Sequence, residues 1–207
     1  MPEAEQPQIY LITPPEFELG RFPQTVAAVL DAVEVACLRL SLASHDEDRL
    51  GRAADALREV AHARDVAMVI DTHVMLAERH GLDGVHLHDN GRNTRLARQE
   101  LGSDAIVGAF CGASRHDGMN AGEAGADYIS FGPVGTSALG DGTSVDRDVF
   151  AWWSQMIELP VVAEGALNQT LIRELAPVTD FFGIGSEIWS ADDPVAALKS
   201  LHTAMKG

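Results

Sequence analysis

The sequence predicts an α/β protein whose chain closes into a (β/α)8 TIM barrel, and three observations carry that expectation. Short apolar runs rich in β-branched residues alternate with longer stretches of helical periodicity, the pattern of repeated βα units feeding a parallel sheet. Eight such units can be counted, and they share 207 residues. That is about 26 residues each, near the lower limit of roughly 200 for a complete barrel, so the span 1–207 reads as a single domain. A doubly wound open sheet alternates the same elements, but the count of eight favours closure. Finally, two Gly-rich segments, Gly132–Gly142 and Gly183–Ser186, each follow or end a predicted strand. They fall at the C-terminal rim, where barrel sites are built from βα loops.

In chain order the predicted strands are Gln8–Thr13, Glu34–Leu42, Ala67–Asp71, Gly84–His88, Ala105–Phe110, Tyr128–Val134, Val161–Ala166 and Phe181–Gly185. Among the intervening segments, Asp46–His62, Asn93–Leu101, Ser114–Ala124, Asn168–Ala176 and Asp193–Met205 carry the clearest helical patterns. Ser114, Asn168 and Asp193 read as N-caps, because a short side-chain oxygen there can accept from a first-turn N–H.

With 46% apolar, 22% charged and 6% aromatic residues, the chain has the balance of a globular domain with an aliphatic core. Its net charge of −16 repels nucleic acid and anionic membranes at long range, so neither is an expected partner. An anionic small molecule would be repelled too, unless backbone N–H groups and a few arginines override the field locally. Acidity otherwise serves solubility. Cys37 and Cys111 are the only cysteines, with no CxxC spacing, and the opening MPEAEQPQ lacks the basic and apolar regions of a leader. A cytoplasmic protein is expected. No apolar run approaches the ~18 residues of a membrane span.

The candidate chemistry lies at strand ends. Phe181–Ile188 reads FFGIGSEI, a buried strand breaking at Gly185-Ser186 into a short helix. Glycine lets backbone approach an anion, and free N–H groups supply donors without a positive side chain. With Gly165 at the end of the seventh strand, Gly185 and Ser186 form a candidate phosphate cup, since barrel phosphate sites recur after strands 7 and 8. In CLRLSL, Arg39 shares its face with Cys37 and Ser41, while Leu38, Leu40 and Leu42 take the other. If the leucines face the helices, Arg39 points into the barrel and needs an anionic partner, either a ligand or Glu164.

Glu164 sits in the apolar run PVVAEGA, Asp71 ends the third strand, and His86 and His88 alternate in GVHLH. A carboxyl in so apolar a strand has a raised pKa unless paired, which suits a general acid or base. His86 reads as a core histidine; His88, beside Asp89 at the rim, is the better ligand contact. Asp71, Asp89 and Glu164 could hold Mg²⁺ only if ligand oxygens complete the shell. Thr136, Ser137 and Thr143 punctuate the Gly-rich loop, where their hydroxyls can meet phosphate oxygens and the loop can close as a lid. A nucleophilic pair of Cys111 and His116 is conceivable, though nothing specifies its geometry.

Together these segments resemble the thiamine phosphate synthase and TenI family of barrels. The resemblance runs through YLIT at Tyr10–Thr13, LRLSL at Leu38–Leu42, MVIDTHVMLA, DGVHL at Asp83–Leu87, GADYISFGPV at Gly125–Val134, PVVAEGA and FGIGSEI, with DGVHL and GADYISFGP the most specific. It implies a cytosolic enzyme that joins an aminopyrimidine pyrophosphate to a thiazole phosphate with release of pyrophosphate, or a TenI-like protein that isomerises the thiazole. It also implies possible use of Mg²⁺ and no organic cofactor.

The family's strand-2 Gln-x-Arg-x-Lys appears here as Cys37, Arg39 and Ser41, so the arginine is the member retained. Its magnesium aspartates fall on Thr72, in Asp71-Thr72, and near Gly91. Its Thr-x-Thr-Lys loop appears as Thr136-Ser137-Ala138-Leu139, without the lysine. The product-phosphate positions Gly165, Gly185 and Ser186 are kept, with Gly165-Ala166 in place of Gly-Gly. The TenI catalytic histidine would fall near the strand-5 loop, which has an extra residue and offers His116 a few positions later. The expected function is a synthase-type transferase with the magnesium and pyrophosphate residues partly replaced, acting through Arg39, Asp71, His88 and Glu164. Alternatives are a phosphate-ligand binding or regulatory protein without synthase activity, and another phosphate-binding barrel isomerase using Asp71 and Glu164 as acid and base. The expected partner is a phosphorylated small molecule, with self-association as a homo-oligomer left open.

Overall fold

The alternation of elements holds throughout a computed structural model that describes residues 6–206. Residues 1–5, part of the opening stretch that carries the expectation of no leader, and residue 207, the end of the single-domain span, lie outside the described residues. The strands are β1 (Gln8–Ile12), β2 (Cys37–Leu40), β3 (Ala67–Asp71), β4 (Gly84–Leu87), β5 (Ile106–Phe110), β6 (Tyr128–Phe131), β7 (Val161–Glu164) and β8 (Phe181–Ile184). All pair in parallel with their chain neighbours, and β1 closes the ring on β8 with Gln8 opposite Phe181 and Tyr10 opposite Gly183. The expected (β/α)8 barrel is therefore the observed architecture. Only β3 keeps its predicted bounds; the other seven strands are shorter, two of them by three residues or more. The segment Glu34–Leu42 is strand only over Cys37–Leu40, where ladder partners exist on β3. The run Tyr128–Val134 stops at Phe131, because Pro133 lacks the N–H a ladder needs.

The helices are α1 (Phe22–Ala32), α2 (Glu47–His62), α3 (Val74–Arg79), α4 (Thr94–Leu101), α5 (Arg115–Glu123), α6 (Arg147–Met156), α7 (Gln169–Leu175), α8 (Ser186–Trp189) and α9 (Pro194–Met205), with a 3₁₀ turn at Ala176–Val178. Ser114 accepts from Asp117 N at 3.1 Å, Asn168 from Leu171 N at 2.9 Å and Asp193 from Ala196 N at 3.0 Å, so all three predicted caps form. Asn93 precedes α4 without capping it; its N–H and side-chain amide donate to Asp89 instead. No helix among the described residues is long and apolar enough to cross a membrane.

Period two sorts the strand side chains into two cores. Ile9, Leu11, Leu38, Leu40, Met68 and Ile70 face outward into the main core shared with the helices. Tyr10, Cys37, Val69, Tyr128 and Val162 fill the barrel's inside. At the N-terminal ends, three aspartates repeat one device. Asp83, Asp127 and Asp180, each one residue before an even-numbered strand, accept from Met68 N at 2.6 Å, Val107 N at 2.7 Å and Val161 N at 2.8 Å respectively. Each satisfies an N–H at the start of the preceding strand that the ladder leaves free. That end carries stability, which leaves the opposite rim to carry a site.

Gly108 leaves the space that Tyr128 fills, since a Cβ there would lie 2.1 Å from the ring's Cζ. Replacing it by alanine must push that ring off its hydrogen bonds. Gly108→Ala is expected to lower stability by about 1–3 kcal/mol, read as an earlier midpoint in urea denaturation with an unchanged slope.

Candidate active site

Arg39 projects from β2 into the mouth of the barrel and is 3% exposed. A guanidinium so placed must be paired, and Glu164, the last residue of β7, meets it. Arg39 Nη2 donates to Glu164 Oε2 at 2.9 Å and Nη1 to Oε1 at 3.3 Å, while Ser130 Oγ on β6 donates to Oε1 at 2.6 Å. This fork-to-fork arrangement is the strong form of the pair. On the other side Arg39 Nε lies 3.2 Å from Asp71 Oδ1. That N–H is not aimed well enough to make a hydrogen bond, so the contact is Coulombic. His88 Nε2 stands 3.1 Å from the same oxygen. Burial disfavours ionised Asp71, but Arg39, with His88 and Ser41, outweighs it and holds the carboxyl below its usual range. Burial also opposes the Arg39 charge, and Glu164 and Asp71 overcome it, so the guanidinium stays protonated. Four residues expected to act together, Arg39, Asp71, His88 and Glu164, thus form one contiguous chain from throat to rim.

Below them lies a second polar chain. Tyr10 and Tyr128 share a hydroxyl hydrogen bond of 2.5 Å, and Tyr128 Oη is 2.8 Å from His86 Nδ1. Burial first, then the charges of Arg39 and His88, push the His86 pKa well down, so its ring is neutral near pH 7. One proton order that fits these contacts has Tyr10 donating to Tyr128, Tyr128 donating to Nδ1, and the ring proton on Nε2. That Nε2 is buried without a hydrogen-bond partner, and Glu164 Oε1 is 4.0 Å away. His86 is a core histidine with one nitrogen unsatisfied.

At the rim, the loops after β6 and β7 are stitched backbone to backbone. Val134 N donates to Glu164 O at 3.0 Å and Gly135 N to Gly165 O at 2.9 Å. Gly165 is required here: its φ is +94° and a Cβ would sit 2.7 Å from Pro133 Cα. Ala166 follows at φ +57°, a left-handed conformation that costs a non-glycine residue about 1–2 kcal/mol. This stitching sets Gly135, directly before Thr136 and Ser137, against Gly165 and Ala166. Thr136 is exposed, and Ser137 Oγ accepts from Leu139 N at 3.2 Å. Gly185 and Ser186 stand where β8 passes into α8. Two donors of this corner are engaged from within: Glu187 accepts from Gly185 N through Oε2 at 2.7 Å and from Leu167 N through Oε1 at 3.0 Å. Trp189 anchors the same turn, its indole N–H donating to Ile12 O at 2.6 Å and its ring edge-on to Phe22 at 5.0 Å.

Two combinations conceivable from the sequence do not assemble. Cys111 is buried and its thiol is pushed up to about 12, by burial first and then by Asp117 and Asp89. His116 Nε2 lies against Asn120 Nδ2 at 3.2 Å instead, so no Cys–His nucleophile exists here. Asp71, Asp89 and Glu164 do not gather into a metal-binding group among the described residues. Both Glu164 oxygens belong to Arg39 and Ser130, while Asp89 Oδ2 accepts from the Asn93 N–H and amide. As a set of three they do not form a protein-held Mg²⁺ site, although Asp89 Oδ1 is buried without a hydrogen-bond partner.

Several participants escape sequence reasoning. Tyr10, Tyr128 and Ser130 lie on the inward parity of β1 and β6, and the alternation that singled out Arg39 would have found them. Thr72, at φ +57°, is a β-branched residue in left-handed conformation beside Asp71. Such strain clusters at functional loops. Neither it nor the turning back of Glu187 leaves a local signal.

Fold and rim together define a (β/α)8 barrel with a guanidinium–carboxylate mouth and a ring of backbone-rich loops at the C-terminal ends of its strands. The chain belongs to the thiamine monophosphate synthase family, whose model matches residues 9–181. It is 40% identical to a protein named thiamine-phosphate synthase of Rhodospirillum centenum, covering 97% of this chain and 98% of that one. A protein of the same name from Erythrobacter litoralis is 37% identical, covering 95% of each chain. Among solved structures, thiamine phosphate pyrophosphorylase from Pyrococcus furiosus superposes with a TM-score of 0.84 at 21% identity, covering 98% of this chain and 97% of that one. The last likeness is one of fold.

Two measurements check the mouth. Arg39→Met strands two carboxylates and is expected to lower stability by about 3–5 kcal/mol, with much of the loss recovered in Arg39→Met/Glu164→Leu; urea denaturation of the set reads it. A histidine whose folded pKa lies below its unfolded value of ~6.5 contributes its stability fully above that pH and loses it on acidification, by up to about 1.4 kcal/mol per pH unit. Wild type is therefore expected to lose more stability between about pH 7.5 and about pH 5.5 than His86→Asn.

Proposed function

We propose that this protein is a thiamine-phosphate-synthase-type transferase, joining an aminopyrimidine pyrophosphate to a thiazole phosphate. The observation that carries the reading is the near-full-length correspondence with relatives named for that activity, at up to 40% identity. It favours the transferase over a binding or regulatory protein without chemistry. In the reaction the thiazole nitrogen forms a bond to the pyrimidine methylene carbon while that carbon's bond to the pyrophosphate oxygen breaks, and pyrophosphate leaves with the electron pair.

This chain's residues supply the parts as follows. Arg39 faces the leaving pyrophosphate, and Glu164 and Ser130 fix the plane of its guanidinium. Asp71 and His88 border the same space and take polar groups of the pyrimidine. Gly165, Gly185 and Ser186 form the cup for the thiazole phosphate through backbone N–H groups, with Thr136 and Ser137 above it on the Gly-rich loop. Positive charge builds on the pyrimidine as pyrophosphate departs, and the excess of carboxylate over guanidinium in the mouth favours it. Magnesium is the metal the family implies, but Asp71, Asp89 and Glu164 do not gather into a group among the described residues, so no step is routed through it. The lysines of the resembled pattern are also absent, which leaves Arg39 as the principal cation of the mouth.

The test is turnover of the two phosphorylated halves in buffer containing Mg²⁺, followed by chromatography of thiamine phosphate against an empty-vector preparation. Product is expected above that background, and its absence rejects the transferase. Arg39→Met should lower kcat by about 100-fold or more, and Ser186→Glu should raise the KM for the thiazole phosphate by placing a carboxylate at the cup.

A further inference from the structure

The corner assigned to the thiazole phosphate already holds an anion, and it belongs to the protein. Glu187 is the second residue of α8, and its side chain turns back across the entry to that helix. One carboxylate oxygen accepts from Gly185 N at 2.7 Å, after β8, and the other from Leu167 N at 3.0 Å, after β7. The donors come from two separate βα loops. Between β7 and Leu167 the chain passes through Gly165 at φ +94° and Ala166 at φ +57°. Glu187 is thus bound much as a ligand anion would be, by main-chain donors from the loops after strands 7 and 8.

We infer that Glu187 is a specificity-determining residue: its carboxylate is the resident occupant of Gly185 N, one donor of the phosphate cup, and a phosphate-bearing ligand takes that donor only by displacing it. The inference rests on the reading that the cup takes phosphate. A phosphate in the cup and the carboxylate cannot share Gly185 N, and two adjacent anions repel. Glu187 is tethered, so it competes at an effective concentration of at least the mM order. Phosphate therefore binds more weakly than the same backbone would allow. On displacement the Glu187 carboxylate goes to water, to which the residue is already partly exposed. When product leaves, the carboxylate returns and satisfies the vacated donors. Gly185 N is then satisfied in both states, and the exchange selects ligands whose phosphate contacts exceed those of a carboxylate.

The experiment is titration calorimetry of inorganic phosphate, at constant ionic strength, into wild type, Glu187→Ala and Glu187→Gln, with Ser186→Glu/Glu187→Ala as the site control. Glu187→Ala is expected to bind phosphate about tenfold or more tightly than wild type. Glu187→Gln, which keeps the side-chain length without the charge, should fall between them. The double variant should lose the gain. Equal affinity in wild type and both single variants overturns the role of Glu187, and loss of that binding in the double variant would leave the cup itself standing. Weaker binding in both single variants overturns it as well, because the carboxylate would then be a clamp that positions the loops. No phosphate binding by any of the proteins removes the cup and the inference together. Should Glu187→Ala fail to fold, Glu187→Gln decides alone: tighter binding supports displacement, and unchanged or weaker binding rejects it.

Discussion

The barrel's mouth is organised around one charge that cannot leave. Arg39 is 3% exposed on a strand whose neighbours are leucines, and taking a guanidinium out of water costs several kcal/mol unless its partners are well placed. Glu164, an acid in an otherwise apolar strand, is explained by that need, as is Ser130, which donates to the same carboxylate. The requirement spreads further, because Gly183 on β8 would put a Cβ 2.8 Å from Glu164 Cβ if it carried a side chain. A single buried cation therefore dictates residue choice on β2, β6, β7 and β8. It also sets the electrostatics that a ligand meets. One guanidinium faces two carboxylates, so an incoming pyrophosphate gains from Arg39 only by competing with Glu164 and Asp71. Differential binding of this kind favours whichever state of the reaction carries both the departing anion and the cation left behind.

Much of the architecture was legible because period two and period 3.6 are visible in composition alone. CLRLSL separated its faces correctly, and Leu38 and Leu40 do pack outward while Cys37 and Arg39 point in. Three caps were legible for a similar reason, since Ser114, Asn168 and Asp193 act on N–H groups only three residues away. The two most specific family segments turn out to speak for the barrel's floor as much as for its site. Asp83 opens DGVHL and Asp127 opens the strand of GADYISFGP, and both tie neighbouring strands together at the end away from the mouth.

Other features were hidden because they depend on partners far away in sequence. Nothing local announces that Glu187 will meet Leu167 N, 20 residues earlier, since that requires two loops to converge first. The left-handed residues were hidden too. Thr72 and Ala166 hold φ of +57° without being glycine, so the backbone keeps a shape that its side chains resist. For Ala166 the shape is the one suited to the family's second glycine, which makes the main chain of this loop a better witness of kinship than its residues.

Trp189 gives the rim an optical property of its own. It shares the single turn of α8 with Glu187, and its indole is fastened to Ile12 O and set against the edge of Phe22. The other two tryptophans, Trp152 and Trp153, sit together on α6. Indole emission responds to hydrogen bonding and to the polarity around the ring, so rearrangement of this turn is reported by a native fluorophore two residues from the carboxylate that moves. Exchange at the cup can thus be followed by stopped-flow fluorescence on the unlabelled protein, with Trp189→Phe identifying the source of the signal.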